Sequence, residues 1–260
     1  MTLKSVIFFC FISALNAQSS PYKGPRTSDG KPDLNGIWQA MNTANWDLAA
    51  HASQAGPVAS EGARGAEPGG LGVVEGGAIP YLPAALKIKA ENYKKRFTDD
   101  PEIKCYMPGV PRAAYLPFPF QIVQSPKIIM MSYEFANASR TVFVGAAPAG
   151  EESWMGTSAA HWEGDTLVID VTGLIDKTWF DRVGDFHSDA LHVVERYTPV
   201  DGNVIRYEAT ITDPKVFSRP WKIAMPLYRH LEANARLMEF RCAEYVEELQ
   251  FGKYRKNPNP

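Results

Sequence analysis

Long apolar runs, blocks of like charge and paired cysteine motifs are nearly absent from this sequence. The longest apolar run covers residues 6–12, which is too short to span a bilayer, since a spanning helix needs about 20 residues. The formal net charge is -2, so no basic excess indicates nucleic-acid binding. The three cysteines include no Cys-x-x-Cys spacing. We therefore expect no nucleic-acid partner and no integral membrane segment in the mature chain.

The N-terminus has the pattern of a signal peptide. Lys4 precedes the apolar run, and Ala17 supplies a small residue at the expected cleavage site. We predict a signal peptide at residues 1–17 and a secreted or periplasmic mature protein. Cys105 and Cys242 then remain in an oxidising compartment, where they either form one disulfide or stay as two buried thiols.

Glycine and alanine dominate residues 42–83, where no hydrophobic period is sustained. This segment lacks the features of a phosphate-binding loop, because no strand precedes the glycines and no Gly-Lys-Ser/Thr follows them. We predict a loop or lid there. The clearest helix follows at residues 84–97, where Leu86, Ala90 and Tyr93 recur at helical spacing. Its lysines are expected to face solvent.

Apolar and β-branched runs with period-two alternation dominate the rest of the chain. Gly164-Asp165 and Asp201-Gly202 are strong signals for tight hairpins. The predicted strands are residues 36–40, 121–124, 127–135, 140–144, 166–172, 190–198, 204–212, 221–228 and 236–242. The predicted fold class is mainly β: an antiparallel, lipocalin-like barrel with one N-terminal helix and a long irregular N-terminal segment. Residues 18–260 would form this single domain, and a β-sandwich is the alternative.

Four stretches of the chain resemble one family. They are WEGDTLVID at residues 162–170, HSDALHVVERY at 187–197, DPKVFSRPW at 213–221 and DGKPDLNGIW at 29–38. Together they are similar to a largely uncharacterised family of exported bacterial proteins. The resemblance implies export and supplies no chemistry, so function has to be inferred from the residues.

The loop before the strand at 190–198 is rich in acids and aromatic residues. His187 lies beside Asp189, and an imidazole next to a carboxylate is suited to acid–base catalysis near neutral pH. His192 follows in mid-strand, on the face opposite Glu195. We expect residues 179–189 to fold over one mouth of the barrel, with His187 facing the cavity and His192 just inside it. The predicted catalytic residues are His187, His192, Asp181 and Asp189, and the predicted ligand contacts are Trp179, His161, Tyr133, Glu195 and Arg196.

Three functions fit these residues. The first, which we predict, is an enzyme without metal or cofactor that uses His/Asp acid–base chemistry on a small, partly apolar molecule, by isomerisation, elimination, hydration or hydrolysis. The second is a lipocalin-like protein that binds a small molecule without catalysis. The third is a metal-dependent enzyme, which requires His161, His187 and His192 to converge, with Asp189 or Glu195 as a fourth ligand.

Overall fold

The computed structural model describes residues 22–56, 58–246 and 252, and the predicted signal peptide lies outside them. Within this described part, nine strands close into a barrel in sequence order. They are β1 (Gly36–Ala40), β2 (Phe120–Gln124), β3 (Ile128–Tyr133), β4 (Ser139–Val144), β5 (Thr157–Glu163), β6 (Thr166–Thr172), β7 (His192–Pro199), β8 (Val204–Thr212) and β9 (Trp221–Arg229). The prediction of a mainly β, closed barrel is confirmed, and the alternative of a sandwich is wrong.

One pair of neighbouring strands is parallel, so the prediction of a purely antiparallel barrel is wrong. β4 and β5 run in the same direction, with Val142 opposite Ser158. Residues 145–156 carry the chain back along the barrel, and a parallel pair needs such a long connection. β5 is absent from the predicted strands, because its sequence TSAAHWE is dominated by small and polar residues with low β-propensity.

The two ends of the barrel differ in the length of their connections. At one end, which we call the turn end, strands are joined by tight turns at residues 125–127, 164–165 and 200–203. At the opposite end, the loop end, strands are joined by long segments at residues 41–119, 173–191 and 213–220. Functional residues concentrate on loops that a rigid scaffold positions. The loop end is therefore the expected location of a functional site.

Helical structure in the described residues is confined to short elements. The α-helices are α1 (Pro83–Lys94) and α2 (Arg96–Asp99), and the 3-10 turns are Ala59–Gly65, Arg112–Ala114 and Phe135–Asn137. The predicted helix at 84–97 is thus interrupted at Lys95, whose backbone leaves the helical region. Pro83 occupies the first turn, where its missing N–H is not needed.

The face of α1 that packs on the protein differs from the apolar stripe in its sequence. Leu86 is 52% exposed, whereas Ala85 is buried. Lys89 lies one turn further along this inner face and forms an ion pair with Asp185 at 2.5 Å. The expectation that all lysines of this helix face solvent is therefore wrong for Lys89. The polar face of the helix packs inward because Lys89 pairs with the buried carboxylate of Asp185 at the loop end.

The Gly/Ala-rich segment at 42–83 packs along the loop end. Leu48 is fully buried, and isolated β-bridges join Val74 to Ile223 and Tyr81 to Phe217. Backbone hydrogen bonds continue this contact, with Leu82 N donating to the carbonyl of Val216 at 2.9 Å and Ser218 N donating to the carbonyl of Pro80 at 2.8 Å. The segment therefore places Asp47 and Tyr81 next to the loop that follows β6.

The C-terminal part of the described chain is held covalently. Cys105 and Cys242 form a disulfide with their Cα atoms 6.0 Å apart, so the disulfide alternative is confirmed. Residues 236–242 form no strand in the described structure, although their sequence predicts one. The disulfide attaches this extended stretch to the loop end without any ladder pairing. No helix among the described residues is long and apolar enough to cross a membrane.

Candidate functional site

Strand alternation places several predicted site residues on the outside of the barrel. In β7, Val193, Glu195 and Tyr197 are buried, so His192 points outward. His192 bonds Asp170 at 2.9 Å, and its side chain is 41% exposed. The prediction that His192 lies just inside the barrel is wrong, because Glu195 takes the inward position.

Three further candidates are exposed and paired with neighbours on the outer surface. His161 bonds Glu163 at 3.1 Å, and Arg196 bonds the other oxygen of the same carboxylate at 2.7 Å. Asp189 forms an ion pair with Lys215 at 2.5 Å. These three side chains therefore do not face an enclosed cavity in the barrel.

His187 is buried at the loop end. Its Nδ1 lies 2.9 Å from the carbonyl oxygen of Ser188, and its Nε2 lies 2.6 Å from Oγ1 of Thr178. Burial lowers the pKa of His187, so the imidazole is neutral at pH 7. Since a carbonyl only accepts, Nδ1 carries the proton and Nε2 accepts from the threonine hydroxyl. Both ring nitrogens are thus occupied within the fold.

The loop at 179–189 covers one mouth of the barrel, as predicted. Phe180 is buried and packs edge-on against Trp221, the first residue of β9, with ring centroids 5.7 Å apart. The carbonyl of Phe180 accepts a hydrogen bond from the Tyr115 hydroxyl at 2.8 Å. Trp179 is half-buried, and its bridge to Phe186 closes the loop on itself.

Buried side chains in the middle of the barrel are connected by hydrogen bonds, and we call this group the barrel network. It contains an ion pair between Arg140 and Glu195 at 2.6 Å. Glu195 Oε1 also accepts from the hydroxyls of Tyr197 and Tyr207, at 3.1 and 2.9 Å. Arg140 Nε donates to the Tyr133 hydroxyl at 3.0 Å.

The barrel network contains two predicted ligand contacts, Tyr133 and Glu195. Both point inward, but each is bonded to other side chains of the network. Burial raises the pKa of Tyr133 to about 12, so its hydroxyl keeps its proton. One arginine faces one glutamate. The network is therefore balanced in charge, and Glu195 Oε2, which makes no hydrogen bond within the described residues, lies 2.6 Å from the guanidinium of Arg140.

A different cluster, at the loop end, has more acidic than basic groups, and we call it the acid cluster. One oxygen from each of Asp47, Asp181 and Asp185 lies within 4.8 Å of the others. Asp181 accepts from the backbone N–H groups of Leu48 and Asp185, both at 3.0 Å. Asp185 Oδ1 accepts from the Tyr81 hydroxyl at 2.7 Å and pairs with Lys89.

Three chain segments build the acid cluster. Asp181 and Asp185 come from the loop after β6, Asp47 from the segment after β1, and Lys89 from α1. Asp181 and Asp185 are fully buried, and Asp185 Oδ2 has no hydrogen-bond partner among residues 22–56, 58–246 and 252. Such a buried polar atom is rare, because leaving it unpaired costs roughly 1–3 kcal/mol.

Two carboxyls of the acid cluster, those of Asp181 and Asp47, have raised pKa values. Burial raises the pKa of Asp181 well above its usual range, and the neighbouring Asp185 adds to the shift. Burial also raises the pKa of Asp47. Lys89 stays charged: burial opposes its charge, but the carboxylate of Asp185 outweighs burial and raises its pKa.

One cavity gives access to the acid cluster. It has a volume of about 430 Å³, and Asp47 lines it together with Thr43, Gly70, Val73 and Met225. Asp47 is half-buried, whereas Asp181 and Asp185 lie behind it. A small molecule in this cavity therefore meets Asp47 first.

A second set of ion pairs fixes the loop at 179–189 to the segment that carries Asp47. Glu102 accepts two hydrogen bonds from Arg182, at 2.9 and 2.7 Å, and a third from Arg112 at 2.7 Å. The backbone N–H of Arg182 donates to the carbonyl of Asn45 at 2.9 Å. Although burial acts in the opposite direction, the two arginines lower the pKa of Glu102 to about 2. This frame holds Asp181 and Asp47 side by side.

The histidine metal centre required by the third alternative is not formed in the described part of the chain. His161, His187 and His192 each bond a different partner. Among residues 22–56, 58–246 and 252, the acid cluster is the group placed to share an ion, and it contains no histidine. Lys89 already supplies positive charge there, so we assign no ion to it.

Comparison with protein-family models gave no match, and comparison with curated proteins gave no significant match. The resemblance to exported bacterial proteins therefore remains an expectation.

Of the residues in and around the acid cluster, the sequence predicted Asp181 but missed Asp47, Tyr81, Lys89 and Asp185. The spacing of Asp181 and Asp185 in one short loop was an available signal, whereas nothing in the sequence connects Asp47 or Lys89 to that loop.

Proposed function

We propose that this protein is an exported enzyme that acts by acid–base chemistry on a small, partly apolar molecule at the acid cluster. The observation that carries the proposal is the fully buried Asp185 Oδ2, which has no hydrogen-bond partner in the described part of the chain and lies beside two other carboxyls, with Lys89 as the cation that pairs with Asp185. The closed barrel fits a lipocalin-like fold, but in this proposal it serves as a scaffold for the loop end.

The charge balance of the cluster explains why it suits proton transfer. Three carboxyls face one ammonium, and in a low-dielectric interior they cannot all be ionised. The raised pKa of Asp181 favours the protonated form of this group. Lys89 and Tyr81 contact Asp185 Oδ1, and such donors favour the carboxylate form of their acceptor. A carboxylic acid beside a carboxylate provides a proton donor and a proton acceptor at one place.

Asp47 would be the catalytic residue, because it lines the cavity of about 430 Å³. It would take a proton from a bound substrate or give one to it. Asp181 and Asp185 would act through Asp47 by supplying or receiving that proton. Isomerisation, elimination and hydration need only such a transfer, and they are the reactions that this arrangement supports best.

Exposed Asp189 provides a matched control for the test. A set of small hydroxy acids, enones and lactones would be screened with purified mature protein at pH 7. Asp47→Asn should lower the rate by about 10²–10⁴-fold, as is typical for loss of a general acid or base. Asp189→Asn should leave the rate unchanged, because Asp189 pairs with Lys215 on the surface. Equal activity in Asp47→Asn and the wild type would refute the assignment.

Infrared spectroscopy tests the shared proton without a substrate. A carbonyl band from a protonated carboxyl should be present at pH 7 and should disappear in Asp181→Asn. The same band should persist in Asp189→Asn. If the wild-type protein has no such band, the three carboxyls are ionised and the proton-transfer proposal fails.

A further inference from the structure

Two adjoining cavities lie at the loop end, apart from the acid cluster. The first has a volume of about 210 Å³ and lies between Trp46, α2 and residues 61–67. The second has a volume of about 340 Å³ and is closed by residues 240–246. Phe97, Ile103 and Arg182 line both cavities. None of the residues lining these two cavities lines the cavity above Asp47.

The two cavities differ in chemical character. Arg64 and Arg96 line the smaller one, together with Glu61 and Glu67. The larger one is bordered by Phe118, Phe135 and Phe240, whose rings contact one another with centroids 4.8–5.5 Å apart. Their shared wall joins a charged compartment to an aromatic one. The volume of the aromatic compartment falls within the range of small-ligand pockets, about 300–1,000 Å³.

Arg96 is rigidly held but incompletely bonded. Its guanidinium carbon lies 4.1 Å from the ring centroid of Tyr93 and 4.2 Å from that of Phe97. One terminal nitrogen donates to the carbonyl of Tyr93 at 3.0 Å, and the other lies 3.6 Å from Glu67. Nε is among the four buried side-chain polar atoms without a hydrogen-bond partner that occur in residues 22–56, 58–246 and 252.

Arg182, which lies in the wall shared by the two cavities, is fully paired with a carboxylate. Its guanidinium carbon lies 4.3 Å from the ring centroid of Trp46, so it is stacked in the same way. Nε and one terminal nitrogen donate to the two carboxylate oxygens of Glu102. Arg96 has the stacking, but its carboxylate contact, Glu67, lies at 3.6 Å and makes no hydrogen bond. The ion pair of Arg96 is therefore looser than that of Arg182, which makes two hydrogen bonds at 2.9 and 2.7 Å.

We propose that the two cavities form one binding site for a small molecule with an apolar body and a single acidic group. The apolar body would occupy the compartment lined by Phe118, Phe135 and Phe240. A carboxylate, sulfonate or phosphate oxygen would accept a hydrogen bond from the terminal guanidinium nitrogen of Arg96 that lies 3.6 Å from Glu67. Glu61 and Glu67 limit the number of negative charges that the smaller compartment tolerates, which favours one acidic group over several.

Two fluorescent probes that differ in their charge test this site. Mature protein would be titrated with 8-anilinonaphthalene-1-sulfonate and with N-phenyl-1-naphthylamine, which has the same rings and no sulfonate. Both should bind with one-site saturation, and the sulfonate should bind more tightly. Arg96→Gln should weaken sulfonate binding by about tenfold or more, the usual value of a hydrogen bond to a charged group. Binding of the uncharged probe should not change.

Lys87→Gln is the matched control, because it removes an exposed positive charge from α1. It should leave both affinities unchanged, and Ile103→Ala should weaken both probes together. The proposal is overturned if Arg96→Gln leaves sulfonate binding intact, if it weakens both probes equally, or if neither probe saturates one site. Should Arg96→Gln fail to fold, Arg96→Lys keeps the charge and loses the planar donors. It should show the same loss of preference for the sulfonate, and an unchanged preference would overturn the proposal.

Discussion

The barrel network and the acid cluster are both buried and charged, yet they differ in balance. In the barrel network, Arg140 faces Glu195, and three tyrosine hydroxyls complete the hydrogen bonds. In the acid cluster, three carboxyls face Lys89, and Asp185 Oδ2 is unpaired. The balanced set behaves as core, because its one buried carboxylate faces one buried guanidinium at 2.6 Å, although Glu195 Oε2 makes no hydrogen bond in the part of the chain that the structure describes. Buried charge becomes a sign of function when acidic and basic groups are left unequal in number.

The largest effect is expected where the balance of the barrel network is broken. Glu195→Gln leaves the guanidinium of Arg140 buried without a counter-charge, and arginine cannot lose its proton in a protein. We expect a loss of about 3–5 kcal/mol in the free energy of unfolding, measured by urea denaturation at pH 7. Glu163→Gln removes the exposed partner of Arg196 and should leave the transition midpoint unchanged. A Glu195→Gln variant as stable as wild type would show that the ion pair is dispensable.

Reduction of the Cys105–Cys242 disulfide should distinguish the regions that carry the two clusters. Cys105 follows Glu102, which helps to fix Arg182 and hence the loop of the acid cluster. Loss of the disulfide should cost about 2–5 kcal/mol of stability, measured by urea denaturation with and without reductant. Hydrogen exchange should accelerate at the loop end and stay slow in β7 and β8. Uniform acceleration through the barrel would contradict this separation.

Two acidic groups at the loop end, Glu102 and Asp181, should change the stability of the protein with pH in opposite directions. Glu102 has a folded pKa of about 2 against an ordinary value of 4.5, so its contribution is present above pH 4.5 and is lost as pH falls toward 2. Asp181 has a folded pKa raised above 3.8, so the unfolded chain loses its proton first and stability falls as pH rises past that value.

Variants of these two residues separate the two effects. Urea midpoints measured from pH 2 to pH 9 should show that Glu102→Gln removes the gain between pH 2 and 4.5. Asp181→Asn should remove the decline that begins above pH 3.8. If both variants keep the wild-type profile, other groups set the pH dependence.

The barrel was predictable because its strands alternate visibly in the sequence. The parallel pair of β4 and β5 was not, since strand direction depends on where residues 145–156 travel. Glu195 rather than His192 points into the barrel, and tertiary contacts decide this. The alternation in β7 predicts two faces but does not say which one is inside, and the pairing of Glu195 with Arg140 decides it. The acid cluster combines segments distant in sequence, so its composition follows from the fold rather than from any motif.

The smallest effect is expected for Lys89→Gln, and it tests the asymmetry between the two clusters directly. Removal of Lys89 leaves Asp185 without its ammonium partner, but a carboxyl can take up a proton, whereas Arg140 cannot lose one. We therefore expect Lys89→Gln to cost little at pH 5, where carboxyls protonate readily, and more at pH 8. The loss at either pH should stay below that of Glu195→Gln, and potentiometric titration should show additional proton uptake by the folded variant at pH 7. If Lys89→Gln destabilises the protein as strongly as Glu195→Gln at both pH values, the acid cluster is a structural ion pair like the barrel network, and the proton-transfer proposal loses its physical basis.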